Sequence, residues 1–181
     1  SAEGTVDWVR YGTGWWFDTN GISFRHDAFE ATASGTLHWP FQNRLPIVDV
    51  ALRMARAELG RLSEYLPVGL IRPRLANWLL RSVTKGQLTD AELHYKGYAG
   101  DFPFNGAKEG FSAAGSVSDV ELLYSKLWPR LEGLDASFEV TGRQLLIKPN
   151  AVSVKSGRML TGSAGISDLS APVPVLNVET T

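Results

Sequence analysis

The chain contains no cysteine, which excludes a disulfide framework and thiolate metal sites and leaves the redox compartment open. No apolar run approaches the roughly 20 residues that a helical membrane span requires. Histidine is scarce: His26, His38 and His94 stand in strand-like segments without metal-ligand spacing, and read as solvent-face residues rather than ligands or bases. There is no Gly-x-Ser-x-Gly elbow and no phosphate-binding P-loop, and Gly12-Thr13-Gly14 reads as a turn, not a nucleotide fingerprint. Asp90 and Glu92 share a strand face as a glycosidase pair would, but acids two apart on a wet face also arise by chance, so no enzyme and no cofactor is expected. A net charge of -1 and a pI near 6.3 lack the basic footprint of a nucleic-acid partner.

What is present is 181 residues that are 44% hydrophobic, enough for one substantial domain with a core. Charge is unevenly spread. Between Arg53 and Lys85 seven cations face only Glu58 and Glu64, a local balance of +5 that leaves -6 for the rest. Such a cluster suits anionic head groups, and it equally suits a solvated helix face with snorkelling side chains.

The chain is organised around Tyr65 to Phe104, where a helical pattern hands over to a strand pattern. Pro73 fits a first helical turn, where its missing N–H has no intrahelical partner to lose. Leu75, Trp78, Leu79 and Val83 follow at helical spacing, and the spacing predicts a helix closing near Lys85 with Gly86 as a left-handed stop. From Leu88 the period becomes two, with a slip near Asp90 and Ala91 that a bulge would produce. A second, shorter helix is expected over about Glu58 to Leu66, ended by Pro67.

Everything else reads as sheet. Thr5 to Arg10 alternates only roughly, and Thr19-Asn20-Gly21 predicts a hairpin between Trp15 to Asp18 and Ile22 to His26. Phe29 to Trp39 and Ile47 to Arg56 alternate again, interrupted by Trp39-Pro40. The order Phe111 to Gly115, then Trp128-Pro129, repeats Phe29 to Ala33, then Trp39-Pro40. Leu134 to Val140 is the cleanest alternation, and turns are expected at Thr141-Gly142-Arg143, Pro149-Asn150 and Ser156-Gly157, with a last strand over Met159 to Ile166.

The expected fold is therefore mainly β with two short helices: a long, curved antiparallel meander with one apolar face forming an open groove, and the central helix capping or lining it. In chain order this is an N-terminal set of strands at 1–56, a helical insertion at 57–86 and the meander at 87–181. Roughly ten strands about 4.8 Å apart make a sheet of about 50 Å, and two short helices cannot cover it. Either the sheet closes on itself as a barrel or sandwich, or the apolar face is left for a ligand. A start at Ser1 without Met and a strand-like close in PVPVLNVETT read as a piece of a longer protein, whose cut edges would favour an edge-to-edge dimer.

The ordered set Tyr65-Leu66-Pro67, Trp78-Leu79, Tyr95 and Gly97, Asp101-Phe102-Pro103-Phe104, Phe111, Leu123-Tyr124, Trp128-Pro129 and Leu160 to Ile166 resembles the central region of YhdP-type, AsmA-like envelope proteins of Gram-negative bacteria. The resemblance implies a repeating β-groove in the periplasmic part of an inner-membrane-anchored protein that carries phospholipids between the two membranes. Its partners would be phospholipid acyl chains and the neighbouring groove units of the same parent chain. Parity places the groove lining at Val48, Val50, Leu52, Met54, Val120, Leu122, Tyr124, Leu134, Ala136, Phe138, Val140, Leu145, Ile147, Val152, Val154, Leu160 and Ile166, with Trp78 and Leu79 of the helix at one end. Ordinary core packing explains any one of these positions as well. The alternatives are a carbohydrate-binding β-sandwich, with Trp15 or Trp16 exposed on a polar shelf, and a spacer that holds no lipid. A small outer-membrane barrel fits less well, because a helical insertion interrupts the strands.

Overall fold

The computed structural model describes residues 1–42, 44–66, 68, 69, 71, 73–102, 110–123, 130–154, 162–169 and 176–180, with the main chain alone at 151–154 and 176–180. Ten antiparallel strands follow in chain order: β1 (Ala2–Tyr11), β2 (Gly14–His26), β3 (Phe29–Pro40), β4 (Ile47–Glu58), β5 (Val83–Tyr98), β6 (Phe111–Leu122), β7 (Leu131–Thr141), β8 (Gln144–Val154), β9 (Gly162–Ile166) and β10 (Leu176–Thr180). Their order in space is their order in sequence, and β1 and β10 each pair on one side only. The meander is thus an open, curved sheet, and among the described residues there is no second sheet to make a sandwich and no closure to make a barrel.

Tight turns at Gly12-Thr13, Asp27-Ala28 and Gly142-Arg143 join consecutive strands. The Asn20-Gly21 hairpin expected from sequence does not form. Residues 14–26 are one strand, and the Asn-Gly pair falls where the β2–β3 register shifts between Thr19 and Ile22. The Pro149-Asn150 turn is likewise absent: β8 runs through it, and Pro149 stands opposite Ala136 beside another register shift. In both places turn-prone residues are absorbed as irregularities in a long strand, where they bend and twist the sheet rather than reverse it. Ser156-Gly157, Trp128-Pro129, Tyr124 and Leu160 lie outside the described residues.

Two helices, α1 (Leu62–Tyr65, after a 3-10 turn at Leu59–Arg61) and α2 (Pro73–Ser82), interrupt the strands. Helix α2 starts at Pro73 as its missing N–H predicts, but closes at Ser82, three residues before Lys85. The sheet takes the chain there: Val83 pairs with Leu122, and the Leu123 N–H donates to the Ser82 carbonyl at 2.8 Å. Val83 and Thr84 are β-branched and fit the pleat better than a helical turn. Gly86, expected as a helix stop, sits instead within β5 at φ +129, where an added Cβ would lie 2.7 Å from Val120 Cγ2 and 2.9 Å from Val120 Cα. The bulge expected near Asp90 does form, with Asp90 at φ +49 and the β5–β6 register shifting between Thr89 and Glu92.

Four of the seven cations between Arg53 and Lys85 meet carboxylates, and Arg72 lies outside the described residues. Arg53 pairs with Glu92 at 2.7 Å, Arg61 with Glu64 at 2.7 Å and Lys85 with Asp119 at 2.8 Å, while Arg56 approaches Glu30 at 3.9 Å. Each pair is solvent-exposed and screened by water, so it adds little to stability. The 3-10 turn and α1 are held more firmly, by Tyr65, whose hydroxyl donates to the Glu58 carbonyl at 3.0 Å and whose ring tilts against Phe29 at 5.0 Å. Burial pushes its phenol from 10.0 up to about 12. Because the folded value is raised, this contribution to stability is complete below about pH 10 and is lost as pH rises through about 12. Denaturant titrations of the chain and of Tyr65→Phe are therefore expected to converge as pH rises from 9 toward 12, with the wild-type chain losing stability faster.

Candidate functional site

Antiparallel registers stack residues of matching parity into rows across the sheet. One such row is apolar or glycine from edge to edge: Gly4, Ile22, Ala33, Leu52, Leu93, Ala113, Val140, Leu145, Ile166 and Leu176 are successive partners on β1 to β10. On one side lie Phe24, Ala31, Met54 and Ala91 across β2 to β5, and Gly115, Phe138, Ile147 and Ala164 across β6 to β9. On the other lie Gly35, Val50, Tyr95 and Phe111, then Phe17, Leu37 and Val48. The result is an apolar track running perpendicular to the strands, about 43 Å long at 4.8 Å per strand.

Cover on this face is partial. Tyr95, Phe111 and Val140 are buried, with Leu75 of α2, Phe102 and Leu169 packed against them, and Phe102 meets Tyr95 and Phe111 edge-on at 5.0 and 5.8 Å. Val120, Leu134 and Ala136 form a second buried cluster beneath Leu59 and Val83. Val48, Val50, Leu93, Phe138 and Leu145 pack against the first cluster and Leu122 and Ile147 against the second, yet all seven keep partial exposure, as do Leu52 and Met54 beyond them. No large side chain is fully buried among the described residues. Burying such a residue stabilises by about 1.5–3 kcal/mol, so a face left half-wet is an unusual use of this much apolar area.

The expected lining residues thus divide. Val120, Leu134, Ala136, Val140 and Ile166 are on the apolar face but buried, while eight others, Val48, Val50, Leu52, Met54, Leu122, Phe138, Leu145 and Ile147, keep partial exposure. Trp78 and Leu79 are half-buried on α2, but the helix contact with the Tyr95 cluster comes through Leu75. Val152 and Val154 lie in β8, Val154 opposite Leu131. Sequence reasoning omitted Phe17, Ile22, Phe24, Ala33, Leu93 and Ala113, which complete the rows. The signal was present in their alternation; reading Asn20-Gly21 as a hairpin broke the parity of β2.

The opposite face is polar. Asp49 accepts from Lys96 at 2.7 Å and bonds His94 at 2.9 Å, which together hold its carboxyl below the usual range. Asp90 sits in its bulge, and Glu92 pairs with Arg53 at 2.7 Å. His26 and His94 are exposed, as expected; His38 is half-buried and stacks on Trp16 at 4.1 Å. The described residues contain no cluster of groups able to hold a metal ion and no helix long and apolar enough to cross a membrane.

The family model described as YhdP protein matches residues 1–181, the whole chain. The chain belongs to the YhdP family. This is a transport-type family of Gram-negative envelope proteins, and membership is compatible with an AsmA-like role in lipid transport. No curated protein and no solved structure matches the chain. A YhdP-family chain built as a one-sided open sheet is the frame in which the apolar track is to be understood.

Proposed function

We propose that this YhdP-family chain is a segment of a lipid conduit, in the periplasmic part of an inner-membrane-anchored protein, whose apolar track carries phospholipid acyl chains between the inner and outer membranes. The observation that carries the reading is the row from Gly4 to Leu176, apolar on every strand and only partly covered. A lipid tail moved through water exposes about 0.8 kcal/mol per methylene, so sixteen carbons cost on the order of 12 kcal/mol. A continuous apolar trough removes most of that barrier without any catalytic group. The charged head stays in water at the open side. The unpaired edges of β1 and β10 would extend the track by pairing with neighbouring groove units, or with a second copy when the chain is isolated.

Native mass spectrometry of the chain, purified from a bacterial periplasm without detergent, tests the reading. Phospholipid-mass adducts are expected, and they should be displaced by added detergent. A bare chain, with the fold intact by circular dichroism, would favour a spacer that holds no lipid.

A further inference from the structure

The polar face carries concavities of its own. A cleft of about 530 Å³ lies over β2 to β7, lined by Asn20, Thr32, Ser34, Ser112 and Thr141 among others, and a second of about 400 Å³ over β7 to β9 shares Glu139 and Thr141 with it. The two clefts meet at Glu139 and Thr141 on β7 and lie side by side across the strands. Where Leu52, Leu93, Ala113 and Val140 border the first cleft, their parity directs the side chains to the other face, so they contribute main chain to its floor.

Most charged groups of the lining are paired. Arg53 is held by Glu92 at 2.7 Å, and His94 leans on Asp49 at 2.9 Å. Glu139 makes no ion pair among the described residues and is the one carboxylate left over. Among the described lining residues, a phosphate or a polyanion finds no cation without a carboxylate partner. A polyhydroxylated chain finds short hydroxyls and an amide that donate and accept alike. Farther along the same face, about 13 Å from Ser34 by strand rise, Trp16 lies flat on His38 with an interplanar angle of 12°, and is 43% exposed. Ile47 and Tyr98 continue its row, exposed at 42% and 50%. An exposed aromatic platform near a hydroxyl-lined trough that carries little net charge matches a pyranose ring, which has apolar faces and a hydroxylated rim.

We propose that the polar face binds a polysaccharide of β-1,4-linked pyranoses, whose extended, ribbon-like chain suits a shallow trough running across a sheet. The site is on the face opposite the apolar track, so the proposal does not depend on lipid carriage.

The test is an NMR titration of the 181-residue chain with chitohexaose, using α-1,4-linked maltohexaose as the comparison. Saturable shifts are expected at the Ser34, Ser112 and Thr141 amides and at the Trp16 indole, with weaker binding of maltohexaose. Trp16→Ala is expected to weaken binding about tenfold, as loss of one stacked ring does. Ser112→Val keeps a strand-compatible side chain and is expected to weaken binding while leaving the melting temperature unchanged, so the site stays testable even if Trp16→Ala does not fold. Absence of saturable shifts up to the solubility limit, equal affinity for both sugars, or shifts confined to the apolar face would each overturn the proposal.

Discussion

Replacing Gly35 by valine is expected to lower the free energy of unfolding by more than about 3 kcal/mol, the range reached when backbone strain and steric overlap combine. Gly35 occupies φ +141 on β3, a region that L side chains rarely adopt. A Cβ built there would overlap the Asp49 carbonyl oxygen and lie 2.7 Å from Val50 Cα, both main-chain atoms of β4. No rotamer change relieves that contact; β3 and β4 have to separate in the interior of the sheet. Gly12→Ala is the control. Gly12 has φ +51 in the β1–β2 turn with nothing within 4 Å of a new Cβ, so its cost is limited to roughly 1–2 kcal/mol of left-handed backbone. Urea midpoints for the two variants are expected to differ clearly, and equal midpoints would contradict the β3–β4 geometry.

The second large effect is on lipid. Leu93→Lys puts an ammonium at the centre of the edge-to-edge row, between Leu52 and Ala113. An acyl chain passing there would have to desolvate the charge, at a cost of several kcal/mol. Lipid adducts are expected to fall at least about tenfold, the equivalent of 1.4 kcal/mol or more. Ser112→Lys places the same charge beside His94, on the polar face, and is expected to leave lipid loading unchanged. Equal loss in both variants would point to damaged folding rather than a blocked track, and circular dichroism separates these cases.

The sheet was legible because half of its information is parity. The alternations Leu134 to Val140 and Val48 to Met54 settle which side chains share a face before any pairing is known, and the register then lines them up. Punctuation was less legible. Asn20-Gly21 and Pro149-Asn150 carry the chemistry of turns, yet both lie inside strands, because neighbours on either side hold the chain extended and a shift in register accommodates the misfit. Gly86 carries the chemistry of a helix stop, but its positive φ serves a bulge against Val120. Asp90 and Asp119, at φ +49 and +50, are further bulge positions, and only the slip at Asp90 was readable in the pattern. Cover is a tertiary property: that Phe102 and Leu75 shield Tyr95 while Leu52 and Phe138 stay half-open follows from where loops return, which periodicity does not encode.

Photocrosslinking in cells shows whether lipid occupies the track, with a photoreactive residue at Phe138 in one strain and at Glu139 in another, scored for phosphate-labelled lipid adducts. The two positions are adjacent on β7 but belong to opposite faces, Phe138 opposite Ile147 on the apolar side and Glu139 opposite Leu146 on the polar side. Lipid adducts at Phe138 and none at Glu139 are expected. Silence at Phe138 with normal protein levels, or equal labelling at both, would contradict a lipid-occupied track.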